Sequence, residues 1–295
     1  MNRGSNGAAW RRIGLGVLVS GLLAPCGTVP YTQRNQLMTI SNAEEAELGE
    51  AAFQDAKDGA SLIADSRLDL IRWVGERIAA AAKRDDFRWE FILIESDEAN
   101  AFALPGGKVA FYSGILPYCV DEDGIAAVMA HEVAHVLSRH GAERLSQARL
   151  LEYGGTAISV VFSGGAPAVR KGVLGAYGMG GKLGVLLPFS RKHEAEADEI
   201  GLVLMAKAGY DPRTAIDFWR RLLSGGKGGK TSEILSSHPS GEERIRRLEE
   251  MMPIAVEYYR KAGPAPRRLE EEREKPPDIT PEEILKSLQE PAPLD

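Results

Sequence analysis

The feature that most constrains this chain is the stretch MAHEVAHVLSRH at residues 129–140, which contains three of its five histidines. His131 and His135 are four positions apart, so on an α-helix they lie on one face, one turn apart. Residues 125–130, directly before them, are all apolar, which predicts a buried helix. Because buried imidazoles need partners and zinc accepts imidazole nitrogen, the pair predicts a shared metal ion.

Glu132 follows the first of these histidines. One residue along a helix corresponds to a rotation of about 100°, so Glu132 is not placed to join the same ligand set. It is placed to reach a water molecule beside the metal and to act as a general base. The alternative is a chance match of the motif on a helix surface, and the apolar residues around the motif argue against it.

A second predicted helix, from Arg191 to about Ala208, offers the third protein ligand that a hydrolytic zinc site requires. Glu194 and Asp198 are four positions apart and share one face of this helix. By spacing alone, Glu194 and His193 are both candidate ligands, and Asp198 is a candidate acceptor for the ring N–H of a ligand histidine. The alternative interpretation of this face is a solvated acidic surface.

Composition excludes several other classes of protein. The chain has 295 residues, of which 44% are hydrophobic and 26% are charged, which is typical of one large globular domain or two small ones. The net charge of −6 gives no support for nucleic acid as a partner. The two cysteines, Cys26 and Cys119, are too few for a disulfide framework or a cysteine-rich metal site.

Residues 1–26 are typical of an export signal peptide. Three arginines precede an apolar run over residues 13–23, which is too short to span a bilayer as a helix. The sequence Leu23-Ala24-Pro25-Cys26 resembles a bacterial lipobox, so we predict lipid attachment at Cys26; the alternative is a plain export signal. Residues 27–40 lack a periodic apolar pattern, and we predict that they form a tether.

Residues 41–262 are predicted to form one mainly helical domain of the α+β class. The last segment, residues 263–295, is rich in proline and glutamate and is predicted to be mostly disordered. His140 is expected on the surface of a long helix. Capping and periodicity predict strands at residues 89–94 and 108–112, helices over residues 65–83, 121–152 and 191–208, and helix starts near Ser41, Asp211 and Ser240.

Several segments together make the chain similar to the HtpX-like and CAAX-prenyl-protease-like zinc metallopeptidases, and more closely to their soluble periplasmic lipoprotein members. The segments occur in family order over about residues 100–248. The resemblance implies a zincin-like domain, with a small β-sheet beside the HExxH helix and one Zn²⁺ per chain. The matching segments are NAFALPGGKVAFYSGIL, HEVAHVLSRH, SRKHEAEADEIG, AGYDP and SSHPSGEERIRRL.

This resemblance implies that His131, His135 and Glu194 bind the zinc ion and that Glu132 is the catalytic base. The family pattern Glu-x-x-Ala-Asp favours Glu194 over its neighbour as the third ligand. It places Asp198 behind the ligands, where it orients them.

Two further residues are implied by the last matching segment. Arg244 is expected to pair with a carboxylate of the site. His238 is expected to stabilise the oxyanion or to occupy the open metal position and hold the protein inactive. The alternative is a histidine that only caps a loop.

The predicted function is that of a zinc-dependent endopeptidase of the bacterial cell envelope, which cleaves unfolded or misassembled proteins. The predicted location is the periplasm, either attached to the outer membrane through Cys26 or soluble. An extended polypeptide is expected to add to an edge strand within residues 100–112 through main-chain hydrogen bonds. The predicted substrate-binding residues are Asn100, Ala101, Phe102 and Ala103.

Two other functions remain open at this stage. One is a zinc-bound chaperone or assembly factor for envelope proteins, with low or latched proteolytic activity. The other is a zinc hydrolase that acts on a non-peptide envelope substrate. The expected partners are polypeptides, the membrane through the lipid anchor, and envelope assembly complexes.

Overall fold

A computed structural model describes residues 26–154, 190–225, 234–235, 238 and 241–268. The predicted export signal up to residue 25, and the predicted tail beyond residue 268, lie outside the described residues. The capping box predicted at Ser240 begins on a residue outside them too. The first described helical residue there is Glu242, and its N-cap is Gly241.

Helices form most of the described chain, and the cap predicted at Ser41 is confirmed. Ser41 Oγ accepts a hydrogen bond from Glu44 N at 3.1 Å, and Asp65 caps the next helix in the same way. The helices are α1 Asn42–Asp58, α2 Ser66–Ala82, α3 Leu116–Cys119, α4 Glu122–Leu137, α5 His140–Gly154, α6 Arg191–Lys207, α7 Arg213–Gly225 and α8 Glu242–Ala262.

A small sheet lies beside the histidine helix α4. Two short strands near the N-terminus, β1 Cys26–Thr28 and β2 Asn35–Leu37, form a separate hairpin. The sheet itself contains β3 Leu62–Ile63, β4 Glu90–Ile94, β5 Ala101–Leu104 and β6 Lys108–Tyr112, in the order β3-β4-β6-β5. Strands β4 and β6 are parallel, and the other neighbouring pairs are antiparallel. Strand β5 is the last in this order, so it is an edge strand of the described sheet.

Both faces of this sheet are covered, because successive side chains point to opposite sides of a strand. Leu93 and Phe111 point into the main core, which α2 and α4 share. Ile92 and Phe102 point into a second core, which α1 closes with Phe53. The predicted fold class, α+β and mainly helical with a small sheet beside the HExxH helix, is confirmed.

The N-terminal hairpin packs on the domain and is not the tether that we predicted for residues 27–40. Val29 is fully buried in a small apolar cluster with one residue of α4 and two of α6. Gln36 and Met38 are each 3% exposed. The sequence pattern misled us because the buried positions in this segment are too few and too irregularly spaced to give a periodic signal.

Helices α4 and α6 cross at close range. Every residue of α4 is buried. A Cβ atom at Gly201 of α6 would lie 3.1 Å from Ala130 O and from His131 N. The missing side chain at Gly201 therefore lets α6 approach α4 closely. This brings the polar residues of α6 near His131 and His135 of α4.

The long helix predicted over residues 121–152 is wrong, because the chain breaks it between α4 and α5. Arg139 has φ +55°, in the left-handed region, which costs an L-residue about 1–2 kcal/mol. Tertiary contacts offset this cost: Arg139 Nε donates to Glu45 Oε2 at 2.6 Å, and its Nη2 donates to Ile40 O at 2.9 Å. The two residues of the break, Ser138 and Arg139, are neither glycine nor proline, and the nearby Gly141 lies inside the first turn of α5. The periodic apolar pattern therefore did not reveal the break.

The first residues of the predicted disordered tail also pack on the domain. Arg267 Nη2 donates to both carboxylate oxygens of Asp123, at 3.0 and 2.8 Å. Arg268 N donates to Glu122 Oε1 at 2.9 Å. This segment covers the N-terminal end of α4, so the ordered domain extends to at least residue 268.

Among the described helices, none combines the length and the hydropathy needed to cross a membrane.

The packing at Gly201 gives a stability prediction. We expect Gly201→Val to lower the free energy of unfolding by about 1–3 kcal/mol, because the added methyl groups overpack the α4–α6 contact. Urea unfolding of the metal-free protein, followed by circular dichroism, measures this change. Ala51→Val, at an exposed position of α1, is the control for the helix propensity of valine. Equal stability of the two variants would contradict the prediction.

Candidate metal centre

Four buried side chains bring their ligand atoms together between α4, α6 and residue 238. His131, His135, Glu194 and His238 each offer one atom, and these atoms all lie within 4.8 Å of one another. None of the four residues is more than 4% exposed. The i and i+4 spacing on α4 does place both imidazoles on one face, with Nε2 atoms 3.1 Å apart.

The structure places Glu194, and not His193, beside the two imidazoles. Glu194 Oε1 lies 3.4 Å from His135 Nε2, and Oε2 lies 3.5 Å from His131 Nε2. His193 turns away from this group, and its Nε2 lies 3.1 Å from Glu143 Oε2. The register of α6 is set by Ser190, whose hydroxyl accepts from the backbone N–H of residue 193.

His238 lies between the carboxylates of α4 and α6. Its Nδ1 is 3.0 Å from Glu194 Oε1 and 3.4 Å from His131 Nε2, and its Nε2 is 3.6 Å from Glu132 Oε1. Its backbone N–H donates to Ile234 O at 2.8 Å. The imidazole of His238 thus faces the other three side chains as a fourth potential metal ligand, next to the predicted base Glu132.

Asp198 and Arg244 support the first histidine from behind. His131 Nδ1 lies 3.0 Å from Asp198 Oδ1, and a carboxylate only accepts hydrogen bonds, so Nδ1 carries the proton. Nε2 of His131 faces the cluster, and Arg244 Nη2 lies 3.0 Å from each of the two ring nitrogens. Arg244 Nη2 donates to Asp198 Oδ1 at 2.6 Å, and Arg244 Nη1 lies 3.2 Å from Glu194 Oε2. The guanidinium stacks on Trp219, 3.5 Å from the ring centre, a contact that sequence analysis missed.

Burial and neighbouring charges shift the pKa values of the side chains in this centre, and for some of them the two effects are opposite. Burial raises the pKa of Glu132. Burial alone would also raise the pKa of Glu194, but the adjacent imidazoles lower it well below its ordinary value. Burial lowers the pKa of His135 well below its ordinary value, so this ring is neutral. Glu194 is therefore ionised and faces the neutral ring of His135. Burial and Arg244 act to lower the pKa of His131, but hydrogen bonds to Asp198 and Glu194 outweigh them and raise it to about 9. A bound cation would therefore take the place of a proton on that ring.

The four donors fit one divalent metal ion. Oε1 of Glu132 and Oε2 of Glu194 are buried and lack a hydrogen-bond partner among the described residues. Imidazole nitrogens and a carboxylate oxygen are the ligands that zinc prefers. The donor chemistry and the unsatisfied oxygen atoms thus agree with the predicted metal.

A second buried group of charges lies directly behind His135, and we call it the support cluster: Arg34, His140, Glu143, His193 and Glu196. His140 is fully buried, so the prediction that it lies on a helix surface is wrong. The break at residue 139 redirects the chain and turns this ring inward. His140 Nδ1 lies 2.9 Å from His135 Nδ1, and its Nε2 lies 3.0 Å from Glu196 Oε2.

Arg34, from the N-terminal hairpin, holds the two carboxylates of the support cluster. Its Nη1 and Nη2 donate to Glu143 at 2.9 and 2.7 Å, and its Nε donates to Glu196 Oε2 at 2.9 Å. Burial opposes ionisation, yet hydrogen bonds from His193 and Arg34 lower the pKa of Glu143 to about 2. Hydrogen bonds from His140, Thr32 and Arg34 lower the pKa of Glu196 to about 2 in the same way.

The predicted substrate strand is found at the edge of the sheet, as β5. Its predicted contact residues are buried, with Asn100, Ala101, Phe102 and Ala103 at most 4% exposed. Asn100 Oδ1 accepts from Ala101 N at 3.0 Å, and Ile234 N donates to Ala99 O at 3.3 Å. The edge position agrees with the expected geometry, and the role of these residues in substrate binding stays a prediction.

A cavity of about 270 Å³ adjoins the cluster between α6 and the start of α8. Glu194, Asp198 and Arg244 line it, together with polar residues of both helices. The metal centre is therefore buried from most directions but lies next to a polar space.

The support cluster gives a pH-dependent prediction. Glu143 and Glu196 have pKa values of about 2 in the fold against an ordinary 4.5, so their contribution to stability is full above pH 4.5 and is lost as pH falls toward 2. Arg34→Gln weakens both pairs. We expect it to lower the free energy of unfolding near neutral pH, and the difference from wild type to shrink as pH falls through this range.

Denaturant unfolding of metal-free protein at a series of pH values measures this difference. Arg220→Gln, which removes an exposed pair with Glu249, is the control and should change stability little at any pH. A difference between Arg34→Gln and wild type that stays constant down to about pH 2 would contradict the assignment.

Comparison with curated proteins gives relatives of two kinds. The mitochondrial metalloendopeptidase OMA1 of Schizosaccharomyces pombe is 38% identical over 77% of this chain and 66% of its own length. The Saccharomyces cerevisiae protein of the same name is 40% identical over 59% of this chain and 50% of its own length. The β-barrel assembly-enhancing protease of Escherichia coli is 30% identical over 78% of this chain and 49% of its own length. The chain thus spans about half to two thirds of these relatives.

These relatives contradict the predicted location. The two yeast proteins carry the word mitochondrial in their names and are more similar to this chain than the Escherichia coli protease. The prediction of a periplasmic protein at the outer membrane is therefore wrong by this comparison.

The family assignment rests on the matching region and on the geometry inside it. The family model of peptidase family M48 matches residues 67–252, which is more than half of the chain. That region contains α4, α6 and residue 238, and therefore all four potential ligands of the candidate metal centre. The chain belongs to peptidase family M48.

Proposed function

We propose that this protein is a zinc-dependent metalloendopeptidase that cleaves unfolded polypeptides. The observation that supports it most is the convergence of His131, His135 and Glu194, with Glu132 beside them on α4. The names of the relatives, metalloendopeptidase and protease, agree with it.

The three proposed ligands would hold one zinc ion, with a fourth position open or filled by His238. When bound, the ion would polarise a peptide carbonyl group and make a nearby water molecule more acidic. Asp198 and Arg244 would keep the first ligand and the carboxylate of Glu194 in place during the reaction.

Glu132 is the proposed general base. Its Oε1 is buried without a hydrogen-bond partner among the described residues, so it is available to accept a proton. Burial raises the pKa of this carboxylate and so makes it a better proton acceptor near neutral pH. Oε1 accepts a proton from the attacking water as the new C–O bond forms. The proton is then delivered to the leaving nitrogen as the C–N bond breaks, which regenerates the carboxylate.

Substrate binding is proposed at the edge of the sheet. Among the described strands, β5 has a neighbour on one side only, so an extended polypeptide is able to add to it by main-chain hydrogen bonds. Main-chain recognition selects little for side chains and therefore suits unfolded segments of varied sequence. The polar cavity between α6 and α8 would receive part of the same polypeptide.

The test of this function is Glu132→Gln. We expect zinc content to stay near one ion per chain, because the ligands remain, while casein cleavage falls by about 100-fold or more. Zinc is measured by elemental analysis, and cleavage is measured with and without chelator. Glu122→Gln, a buried glutamate on the same helix but at its far end, is the matched control and should retain cleavage. Unchanged cleavage by Glu132→Gln would refute the mechanism.

A second candidate function is binding of unfolded proteins with rare cleavage, and one observation favours it. His238 points its Nδ1 into the donor group, where it would occupy the position that a substrate needs. If this ring acts as a latch, its removal opens the site.

We expect His238→Ala to raise casein turnover several-fold while zinc content stays near one per chain. A fall in turnover would instead assign His238 to oxyanion stabilisation. No cleavage by either protein, together with binding of unfolded casein, would favour the binding function over the peptidase.

A further inference from the structure

The support cluster determines more than stability, because it touches one of the proposed metal ligands. His140 lies between Glu196 and His135: its Nδ1 is 2.9 Å from His135 Nδ1, and its Nε2 is 3.0 Å from Glu196 Oε2. All three side chains are buried. Water is thus largely excluded from the chain of contacts, and the position of each proton follows from its partners.

The chain of contacts starts at Glu196. This carboxylate is ionised and hydrogen-bonds Arg34, so it only accepts hydrogen bonds. His140 Nε2, at 3.0 Å from Glu196 Oε2, must therefore carry a proton. In a neutral imidazole, the other nitrogen then has a lone pair, so Nδ1 of His140 is an acceptor.

The protonation of His140 determines that of His135, the proposed metal ligand next to it. His135 Nδ1 lies 2.9 Å from His140 Nδ1, and one of the two atoms must donate. Since His140 Nδ1 is the acceptor, His135 Nδ1 carries the proton. The lone pair of His135 is then on Nε2, the atom that lies 3.4 Å from Glu194 and 3.1 Å from His131 Nε2. The contact thus sets the tautomer that binds a metal, and it holds the plane of the ring.

The two histidines of α4 are oriented by different kinds of partner. Asp198 accepts from His131, whereas a neutral imidazole accepts from His135. A neutral acceptor adds no negative charge directly behind the second ligand, close to Glu132 and Glu194. On this side the nearest carboxylate in the chain of contacts is Glu196, which is separated from His135 by the ring of His140. Its negative charge is paired with Arg34 of the N-terminal hairpin.

We propose that His140 is a positioning residue of the metal centre, which sets the tautomer of His135 and is itself held by Glu196 and Arg34. The N-terminal hairpin is thereby part of the support of the site. This inference rests on the proposed metal site and deepens it. Interactions of this type, behind a ligand histidine, typically change metal affinity by about 10–100-fold.

The first test measures zinc affinity without substrate. We expect His140→Phe to bind zinc about 10–100-fold more weakly than wild type, measured by competition with a chromophoric chelator. His140→Asn should lose less, because its side-chain oxygen is able to accept from His135. Rescue by this smaller polar residue is not expected if the role is packing alone.

The matched control is His193→Phe. His193 belongs to the same cluster, is also buried, and stacks on His140 with ring centres 4.4 Å apart. Its Nε2 contacts Glu143, which keeps two hydrogen bonds from Arg34 after the substitution. We expect His193→Phe to keep zinc affinity within about threefold of wild type, a change of less than 1 kcal/mol.

A second measurement does not depend on whether His140→Phe folds. Long-range ¹H–¹⁵N spectra of metal-free wild-type protein at about pH 8 report which ring nitrogen of each histidine carries the proton. We expect the proton of His135 on Nδ1 and that of His140 on Nε2. A proton on Nε2 of His135, or equal zinc affinity of His140→Phe and His193→Phe, would overturn the proposal.

These outcomes are distinct from failure of the proposed function. Tight zinc binding that depends on His140, without any cleavage, would leave this inference intact and remove the peptidase assignment. Zinc-dependent cleavage, together with an unchanged zinc affinity in His140→Phe, would support the peptidase assignment and refute the proposed role of His140.

Discussion

The structure depends on placing ionisable groups where water does not reach and on pairing most of them with groups of opposite charge or with hydrogen-bond partners. An uncompensated buried charge costs several kcal/mol, so a group of imidazoles and carboxylates is stable only if each has a partner. Here α4 is buried along its whole length, and α6 reaches it closely only because Gly201 has no side chain. That close crossing brings Glu194 within reach of both imidazoles of α4. A cation between them would complete the compensation.

Two shells of polar residues hold this arrangement from opposite sides. Behind His131, Asp198 and Arg244 form a charged pair, and the guanidinium packs on Trp219. Behind His135 lies the support cluster, which joins α5, α6 and the N-terminal hairpin. The chain thus uses residues far apart in sequence to orient two histidines that are only four positions apart. The hairpin contributes its Arg34 to this purpose, so the N-terminal segment belongs to the same cooperative unit as the proposed site.

The break at Arg139 connects these two parts. A continuous helix would have carried His140 past the cluster on a different face. The left-handed residue stops α4 just after the second ligand and lets α5 start with His140 turned inward. Its conformational cost of about 1–2 kcal/mol is offset by hydrogen bonds to α1 and to the segment before it. Local strain at Arg139 and the inward placement of the His140 ring are therefore linked.

Sequence by itself determined the elements that depend on local patterns: the cap of α1, the span of α2, the strands β4 and β6, and the face shared by His131 and His135. Spacing left Glu194 and His193 equally placed, and only the resemblance to a family favoured the first. Tertiary structure alone decided the break at Arg139, the burial of His140, the hairpin in place of a tether, and the roles of Arg34 and Trp219. The reason is physical: helix and strand periodicity depends on neighbours within a few residues, whereas these features depend on contacts between distant segments. The hydrogen bond from Arg34 to Glu196 joins residues 162 positions apart, so no periodic sequence pattern predicts it.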